Sequence, residues 1–376
     1  MAKRIRVAVL FGGRSAEHEV SLVSAGSILQ ALDPAKYEVV PVGITREGRW
    51  LCHPDALDML KRNEVPEGLQ AAVFPAPAAE HLLAIGERSG GTSFTFLPPV
   101  DVFFPVLHGT FGEDGTVQGL FELMDVPYVG AGVLASALGM DKVVQKELFR
   151  AHGLPVVDFL SFRREENPAA DSSRLEAIEA RLGYPVFVKP ANLGSSVGIS
   201  KAKNRADLRR AIGLAFSYDR KIIIEKGIER PREIEVSVLG NEHPRASLPG
   251  EVIPSREFYD YEAKYVEGRS ELKIPAPLPQ DVVEEVRRLA VRAFRAIDCE
   301  GMARVDFLLA GEQLFVSELN TIPGFTAISM YPKLWEVSGL PFSALLDELI
   351  QLALDRHKKK AKLRTRADVG TEWYRR

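Results

Sequence analysis

Two short segments near the C-terminal end carry the clearest chemistry in this chain, and they read RVDFLL and LFVSELN. Their alternating polar and apolar residues are typical of β-strands, in which successive side chains point to opposite faces. Arg304 and Asp306 therefore share one face of the first strand. Glu318 and Asn320 likewise share one face of the second. Residues 310–313 predict a tight hairpin turn, so the four polar side chains converge if Asp306 pairs with Glu318.

Two carboxylates that face each other across a hairpin repel unless a cation compensates them. Mg²⁺ fits this patch best, because it binds oxygen ligands and commonly uses one or two carboxylates together with substrate phosphates. The hairpin therefore predicts a divalent-cation site. A surface ladder of charges, satisfied by Arg304 and water, is the alternative that the hairpin alone leaves open.

A second candidate site is the segment 194–198 (GSSVG), which lies between two predicted strands. Glycines let a backbone approach a phosphate closely, and exposed N–H groups and hydroxyls donate to its oxygens. Lys189 on the preceding strand supplies a point charge for phosphate. The segment lacks the Gly-Lys-Ser/Thr of a Walker A loop, and a flexible hairpin turn is the alternative. Lys142 also lies beside an apolar segment, where a lysine needs a partner or extends to solvent.

A long predicted loop, 251–269, contains the run YDYEAKY at 259–265. Long ordered loops are often lids, and dense aromatic and charged residues suit a lid that closes over charge and excludes water. A structural Ω-loop is the alternative. The run EHE at 17–19 also contains metal-ligand residue types, but at the start of a predicted helix such residues are more often capping or solvated.

Composition limits the class of protein. A chain of 376 residues suggests two or three domains, and its 46% hydrophobic and 26% charged content is typical of globular proteins. A net charge of -3 argues against a general nucleic-acid binder. Cys52 and Cys299 have no metal or redox spacing, which favours a reducing compartment. The apolar run at the N-terminus is too short for a signal peptide, and no run is long enough to span a membrane, so we expect a cytoplasmic protein.

The elements that position these groups form three predicted units. The first, 1–138, opens with a strand at 6–11, a helix at 15–32 and a strand at 37–44. Ser15 is the predicted N-cap of this helix. This β-α-β order is typical of a doubly wound α/β domain. It lacks the Gly-x-Gly-x-x-Gly fingerprint, so a nicotinamide cofactor is not indicated. The Pro-, Ala- and Gly-rich residues 63–99 give no clear prediction.

The other two units are 139–226 and 227–357. In the first, helices at 143–151 and 205–216 and strands at 185–190 and 221–225 predict a small α+β module. In the second, the predicted elements are a strand at 233–239, the loop at 251–269, a helix at 280–297, the hairpin and a helix at 341–356. The basic residues 358–376 predict a flexible tail.

Taken in order, several stretches resemble the ATP-grasp superfamily and, within it, the D-alanine–D-alanine ligase family. They are FGGRSAEHEVS at 11–21, LHG at 107–109, GEDG at 112–115, MDK at 140–142, VKPANLGSSVG at 188–198, FYDYEAKY at 258–265, GMARVD at 301–306 and ELNTIPG at 318–324. The ordered set, rather than any one stretch, is specific, and it extends from residue 11 to about 330. The resemblance implies a three-domain α/β and α+β architecture with an N-terminal parallel-sheet domain, and ATP between the central and C-terminal domains.

The resemblance also implies roles for individual residues. The ligands of two Mg²⁺ ions, with Mn²⁺ as an alternative, would be Asp306, Glu318 and Asn320. The nucleotide would be bound by Lys142, Lys189, Ser196, Glu225, Lys226, Glu233 and Lys264. The amino-acid substrates and the reacting oxygen would be contacted by Glu17, His108, Ser195, Tyr265, Arg304, Gly324, Ser329 and Met330.

Within that last group, Glu17 would bind the ammonium of the first D-alanine, in a hydrogen-bonded trio with Ser195 and Tyr265. Arg304 and the Gly324 N–H would face the reacting carboxyl oxygen. Ser329 and Met330 would bind the carboxylate of the second substrate, and His108 would lie near that substrate.

The implied activity is ATP-dependent ligation of two D-alanines through D-alanyl phosphate, supplying a peptidoglycan precursor, in a homodimer with no nucleic-acid or membrane partner. Tyr265 favours the dipeptide, because relatives that make D-alanyl-D-lactate typically carry phenylalanine there. Another ATP-grasp carboxylate–amine or carboxylate–hydroxyl ligase is one alternative. A catalytically silent nucleotide-binding regulator is another, although the complete set of charged site residues argues against it.

Overall fold

The computed structural model describes residues 3–77, 80–88, 91–253 and 271–364. Its strands are β1 (Ile5–Gly12), β2 (Tyr37–Ile44), β3 (Trp50–Cys52), β4 (Gln70–Val73), β5 (Leu82–Arg88), β6 (Gly91–Phe96), β7 (Val102–Pro105), β8 (Phe159–Arg163), β9 (Val186–Pro190), β10 (Ser200–Ala202), β11 (Lys221–Lys226), β12 (Arg232–Gly240), β13 (Arg245–Ala246), β14 (Gly250–Ile253), β15 (Glu271–Lys273), β16 (Gly301–Ala310) and β17 (Gln313–Asn320). Its α-helices are α1 (His18–Ala31), α2 (Ala56–Arg62), α3 (Thr116–Met124), α4 (Val133–Met140), α5 (Lys142–Ala151), α6 (Ser172–Leu182), α7 (Arg205–Tyr218), α8 (Gln280–Ala296), α9 (Met330–Val337) and α10 (Phe342–Lys360). Arg164–Glu166 and Pro168–Ala170 are 3₁₀ turns.

The N-terminal sheet has the strand order β6-β5-β4-β3-β2-β1-β7. Strand β1 pairs in parallel with β2 and β7, which confirms the predicted β-α-β opening. The other neighbours pair antiparallel. The predicted parallel sheet is therefore correct only for β2-β1-β7, and residues 63–99 contribute antiparallel strands instead. Their connections are too short for the crossover that parallel pairing needs.

Helix α1 begins at His18, so the prediction that Ser15 caps it was wrong. Ser15 Oγ accepts a hydrogen bond from the Glu17 N–H at 3.1 Å, within the turn that precedes the helix. This turn leaves β1 through Gly12, whose φ is +91° and where a Cβ would lie 2.2 Å from the Ile44 carbonyl oxygen. The turn places Glu17 at the helix N-terminus, where the helix dipole favours a carboxylate.

Two antiparallel sheets follow the N-terminal one. Their strand orders are β10-β9-β11-β8 and β15-β14-β12-β16-β17, with β13 paired to β12. Helix α8 covers the last sheet with an apolar face that includes Val286, Ala290 and Phe294, which explains its buried stripe at helical spacing. The predicted α/β and α+β fold class is confirmed.

The N-terminal and C-terminal regions share one hydrophobic core. Val7 and Val9 of β1 belong to the same buried cluster as Leu345 and Leu349 of α10. A close-packed protein interior deforms little, so elements that share one core keep their relative positions. The side chains that these two regions contribute to a common site are therefore held in fixed relative positions.

Two of the predicted domain boundaries fall within helices. The boundary after residue 138 lies inside α4, and the tail that was predicted from residue 358 begins inside α10. The tail prediction was wrong for residues 358–360, because these residues are helical. Lys359 Nζ lies 2.6 Å from Glu242 Oε1 and Lys360 pairs with Glu122, so the basic residues complement acidic partners and the helix C-terminus.

Across the described ranges, no single helix is both long and apolar enough to cross a membrane. Helices α9 and α10 meet that test only when taken together, and they are bent by 105° at the break between them.

Candidate active site

A single cavity of about 570 Å³ gathers the predicted site residues at the junction of the three regions. Those that line it are Glu17, His108, Lys142, Lys189, Ser195, Ser196, Glu225, Lys226, Glu233, Arg304, Asp306, Glu318, Asn320 and Gly324. Lys264 and Tyr265, with the rest of the predicted lid at 259–265, lie outside the described residues. The cavity therefore joins the two candidate sites that the sequence suggested separately.

Ser329 and Met330 are not part of the cavity lining. Ser329 stands beside the lining residue Gly324, where an added Cβ would lie 2.7 Å from the Ser329 hydroxyl oxygen. The Met330 side chain is buried in an apolar cluster with Val252 and Leu334. Because this side chain packs into the core, Met330 could contact a substrate only through its backbone, and its predicted role stays a prediction.

The hairpin has the predicted register. Asp306 of β16 pairs with Glu318 of β17, and Arg304 pairs with Asn320. A register shift follows directly after Asp306, so the polar patch ends at an irregularity of the ladder. Glu235 of β12 pairs with Asp306 from the other side, which places three carboxylates in a row across three strands. Glu235 was missed, although its alternation with Glu233 along a predicted strand was the available signal.

Arg304 compensates this row of carboxylates. Its Nε and a terminal nitrogen donate to the two Asp306 oxygens at 2.7 and 2.6 Å, and Nε lies 3.1 Å from Glu235 Oε2. Burial alone would lower the pKa of Arg304, but Asp306 and Glu235 raise it well above its usual value. The guanidinium is therefore permanently charged and fixed in direction, as a stabiliser of negative charge must be.

The hairpin also offers oxygen ligands for a hard cation. The Asn320 amide nitrogen donates to Asp306 Oδ2 at 3.2 Å, and Lys142 Nζ lies 3.7 Å from Glu318 Oε2. Among the described residues, no three Asp, Glu, His or Cys side chains form a metal-binding group. Two carboxylates and an amide still match Mg²⁺, which takes its remaining ligands from water and substrate phosphates.

The loop after β9 connects the nucleotide side of the cavity to Glu17. Ser195 and Ser196 have φ values of +47° and +58°, a left-handed conformation that is uncommon for non-glycine residues. Ser195 Oγ donates a hydrogen bond to Glu17 Oε1. Lys142 Nζ donates to the Leu193 carbonyl at 2.6 Å, so the same loop is also anchored to the start of α5.

Glu225, predicted on the adenosine side, is the centre of a buried ion triad. Its Oε2 lies 2.6 Å from Lys189 Nζ, and its Oε1 lies 3.1 Å from Lys146 Nζ. Burial alone would raise the pKa of Glu225, but Lys146 and Lys189 hold it at about 2. Lys146 was missed, and the signal was its three-residue spacing from Val143 and Phe149 on the buried face of α5.

His108 connects the N-terminal region to the loop after β17. Its Nδ1 lies 3.0 Å from the Ile322 carbonyl oxygen, and its Nε2 lies 3.2 Å from Ser24 Oγ. Burial lowers the pKa of His108, but Glu113 and Glu17 outweigh burial and leave that pKa raised. The ring is thus held at both nitrogens on the cavity wall.

A sheet-bordered cavity with lysines, a serine-rich loop and an acidic hairpin defines a nucleotide-dependent ligase of the ATP-grasp class. The comparisons narrow this class. The models "D-ala D-ala ligase N-terminus" and "D-ala D-ala ligase C-terminus" match residues 6–131 and 148–351. The chain belongs to the D-alanine–D-alanine ligase family, and the resemblance stated from the sequence is confirmed.

Individual relatives agree along nearly the whole chain. It is 53% identical to the D-alanine–D-alanine ligase of Thermoanaerobacter sp. (strain X514) over 364 residues, which covers 95% of this chain and 98% of the relative. The D-alanine–D-alanine ligase structure from Coxiella burnetii superposes with a TM-score of 0.81 at 37% identity, covering 96% of this chain and 97% of that one. The VanG D-Ala:D-Ser ligase structure from Enterococcus faecalis gives 0.82 at 35% identity, covering 93% and 100%.

Proposed function

We propose that this enzyme joins two D-alanines into D-alanyl-D-alanine with conversion of ATP to ADP and phosphate, supplying a peptidoglycan precursor. The observation that carries the proposal is the single cavity that holds a carboxylate for an ammonium group, lysines for phosphates and Arg304 for a developing oxyanion. The enzyme acts in the cytoplasm as a homodimer.

The nucleotide occupies the side of the cavity formed by the central and C-terminal sheets. Glu225, Lys226 and Glu233 line this part of the cavity, and we assign the adenosine to it. The phosphates lie against positive charges and a hydroxyl group, which are supplied by Lys142, Lys189, Lys264 and Ser196. Asp306, Glu318 and Asn320 would hold two Mg²⁺ or Mn²⁺ ions per site, and these ions would supply charge neutralisation for phosphoryl transfer.

The first step activates a carboxylate. A carboxylate oxygen of the first D-alanine attacks the γ-phosphorus, the bond from that phosphorus to the ADP oxygen breaks, and D-alanyl phosphate forms. Lys142 and Lys189 balance the charge that moves onto ADP, since phosphoryl transfer depends on positioning and electrostatics rather than on covalent help from the protein.

The second step forms the peptide bond. The neutral amine of the second D-alanine attacks the acyl carbon, and the tetrahedral oxygen is stabilised by Arg304 and the Gly324 N–H. Collapse of the tetrahedral species breaks the bond from carbon to the phosphate oxygen, and the expelled phosphate takes up the proton that the nitrogen loses. The carboxylate of the second substrate lies near Ser329, the N-cap residue of α9, because a helix N-terminus favours an anion. The loop at 259–265, with Tyr265, closes the cavity and protects the acyl phosphate from water.

The role of Glu17 predicts a substrate-specific defect. In Glu17→Gln the KM for D-alanine should rise about 10- to 100-fold, the effect of one hydrogen bond to a charged group, while the KM for ATP changes little. Steady-state kinetics with each substrate varied in turn measures both constants. Glu19→Gln is the matched control, because Glu19 lies in the same helical turn but pairs with the exposed Arg46. A D-alanine KM that stays at the wild-type value would rule out this role.

An ADP-release assay with D-alanine, ATP and Mg²⁺, with the product identified by mass, tests the proposed function. D-Serine, D-lactate and L-amino acids in place of the second D-alanine test the alternatives, including the D-serine activity that names one structural relative. Faster turnover with one of these would assign a different carboxylate–amine or carboxylate–hydroxyl ligase. Nucleotide binding without ADP release in any mixture would instead indicate a silent regulator.

A further inference from the structure

Lys146 is a buried cation that stands one layer behind the cavity. It lies on the inward face of α5, and its side chain is 2% exposed. It is not among the residues that line the cavity. A buried ammonium is retained only where anions compensate it, and among the described residues the one in ion-pair contact with Lys146 is Glu225, while Glu318 acts on it from farther away.

Glu225 serves two cations at once. Lys189 and Lys146 contact different oxygens of the same carboxylate, so the triad carries one excess positive charge. Lys189 and Glu225 line the cavity, whereas Lys146 does not. The two ammonium groups repel each other at this separation and low dielectric, which also contributes to the lowered pKa of Lys146, after burial itself.

An anion that enters the cavity changes the balance of this triad. Lys189 is the member that can reach it, and in doing so Lys189 gives up part of its pairing with Glu225. A buried carboxylate that loses its partner is strongly destabilised. With Lys146 in place, Glu225 keeps a counter-ion. When the Lys189 ammonium turns toward the anion, Glu225 and Lys146 remain as a neutral ion pair.

We propose that Lys146 is a positioning residue for the nucleotide. Lys146 remains the counter-ion of Glu225 and thereby makes Lys189 available to the triphosphate. The inference rests on the proposed function, in which ATP occupies this cavity. It assigns no contact between Lys146 and the nucleotide.

A packing role for Lys146 would have different consequences. Methionine has a similar shape, and replacing a buried charge by an apolar residue of similar volume is often tolerated. If Lys146 only fills space, Lys146→Met leaves nucleotide binding intact, or weakens every ligand of the pocket together. If it frees Lys189, the loss is confined to ligands that carry phosphates.

The test compares adenosine with a non-hydrolysable ATP analogue in the presence of Mg²⁺, by calorimetry on the full-length protein. In Lys146→Met the dissociation constant of the analogue should rise about tenfold or more, because Lys189 stays paired with Glu225. The constant for adenosine, which has no phosphate, should stay within about twofold. Lys146→Gln, which keeps a hydrogen-bond donor without the charge, should show the same split and serves if the methionine variant does not fold.

A rescue variant adds a second criterion. In Lys146→Met/Glu225→Gln the side chain that retains Lys189 is neutral, so the ratio of the analogue's dissociation constant to that of adenosine should return to within about threefold of the wild-type ratio, because any loss of adenosine contact at residue 225 affects both ligands alike. Lys221→Met is the matched control, because Lys221 forms a largely buried ion pair with Asp141 and neither residue lines the cavity. It should leave both dissociation constants unchanged.

Equal losses for adenosine and the analogue, an unchanged analogue affinity in Lys146→Met, or no rescue in the double variant would each overturn the inference. These binding measurements need no amino acid. Failure of the wild-type enzyme to release ADP with D-alanine would therefore refute the proposed function, while the dissociation constants of adenosine and the analogue would still test the role of Lys146.

Discussion

Removing the guanidinium of Arg304 should lower kcat about 10²- to 10³-fold, which is the effect of losing one donor to a developing oxyanion. The side chain is directed by two carboxylates, with hydrogen bonds of 2.7 and 2.6 Å to Asp306 and an ion pair of 3.1 Å to Glu235. This fixed direction is what makes a donor effective, since it needs no reorganisation during the reaction. Arg304→Ala, assayed at saturating ATP and D-alanine, measures the effect.

The control for Arg304→Ala is another arginine of the same sheet. Arg232 forms a two-point interaction with Glu251 at 2.7 and 2.8 Å, but neither residue lines the cavity. Arg232→Ala should therefore turn over at close to the wild-type rate, although it loses the same kind of ion pair. If Arg304→Ala retains near-normal turnover, Arg304 does not stabilise the tetrahedral oxygen.

Neutralising Glu318 should have a comparable or larger effect, about 10³-fold on kcat, because a metal ion contributes several kcal/mol to charge stabilisation in the transition state. Glu318 pairs directly with Asp306 across the hairpin, so both carboxylates face the same point in the cavity. Glu318→Gln keeps the shape and removes the charge. The midpoint of activation by Mg²⁺ should move to about 10- to 100-fold higher concentration.

A metal titration of ADP release at fixed substrate measures the second quantity. Glu312→Gln is the matched control, since Glu312 is exposed in the turn of the same hairpin and the substitution is identical. Its kcat and Mg²⁺ midpoint should match wild type. An unchanged midpoint in Glu318→Gln would place the cation elsewhere. The facing carboxylates of the hairpin would then not be a divalent-cation site.

Much of the cavity wall that the central and C-terminal regions form could be predicted from local sequence patterns. Period-two alternation and a short turn fix which residues of one hairpin face each other, and this is why the pairing of Asp306 with Glu318 was predictable. The helices near 143–151, 205–216 and 280–297 follow their apolar spacing and occur close to the predicted bounds. The antiparallel edge built from residues 63–99 was not predicted, because composition rich in Pro, Ala and Gly weakens the strand pattern.

The sequence by itself determined the identities of the chemical groups, the family and the register of the acidic hairpin, because each follows from neighbouring residues or from an ordered set of motifs. Only the tertiary structure decided that Ser195 meets Glu17, that His108 binds the loop after β17, and that Lys146 shares Glu225 with Lys189. These partners lie far apart in the chain. Their meeting depends on how sheets and helices pack, and no local periodicity specifies which distant side chains will share one buried space.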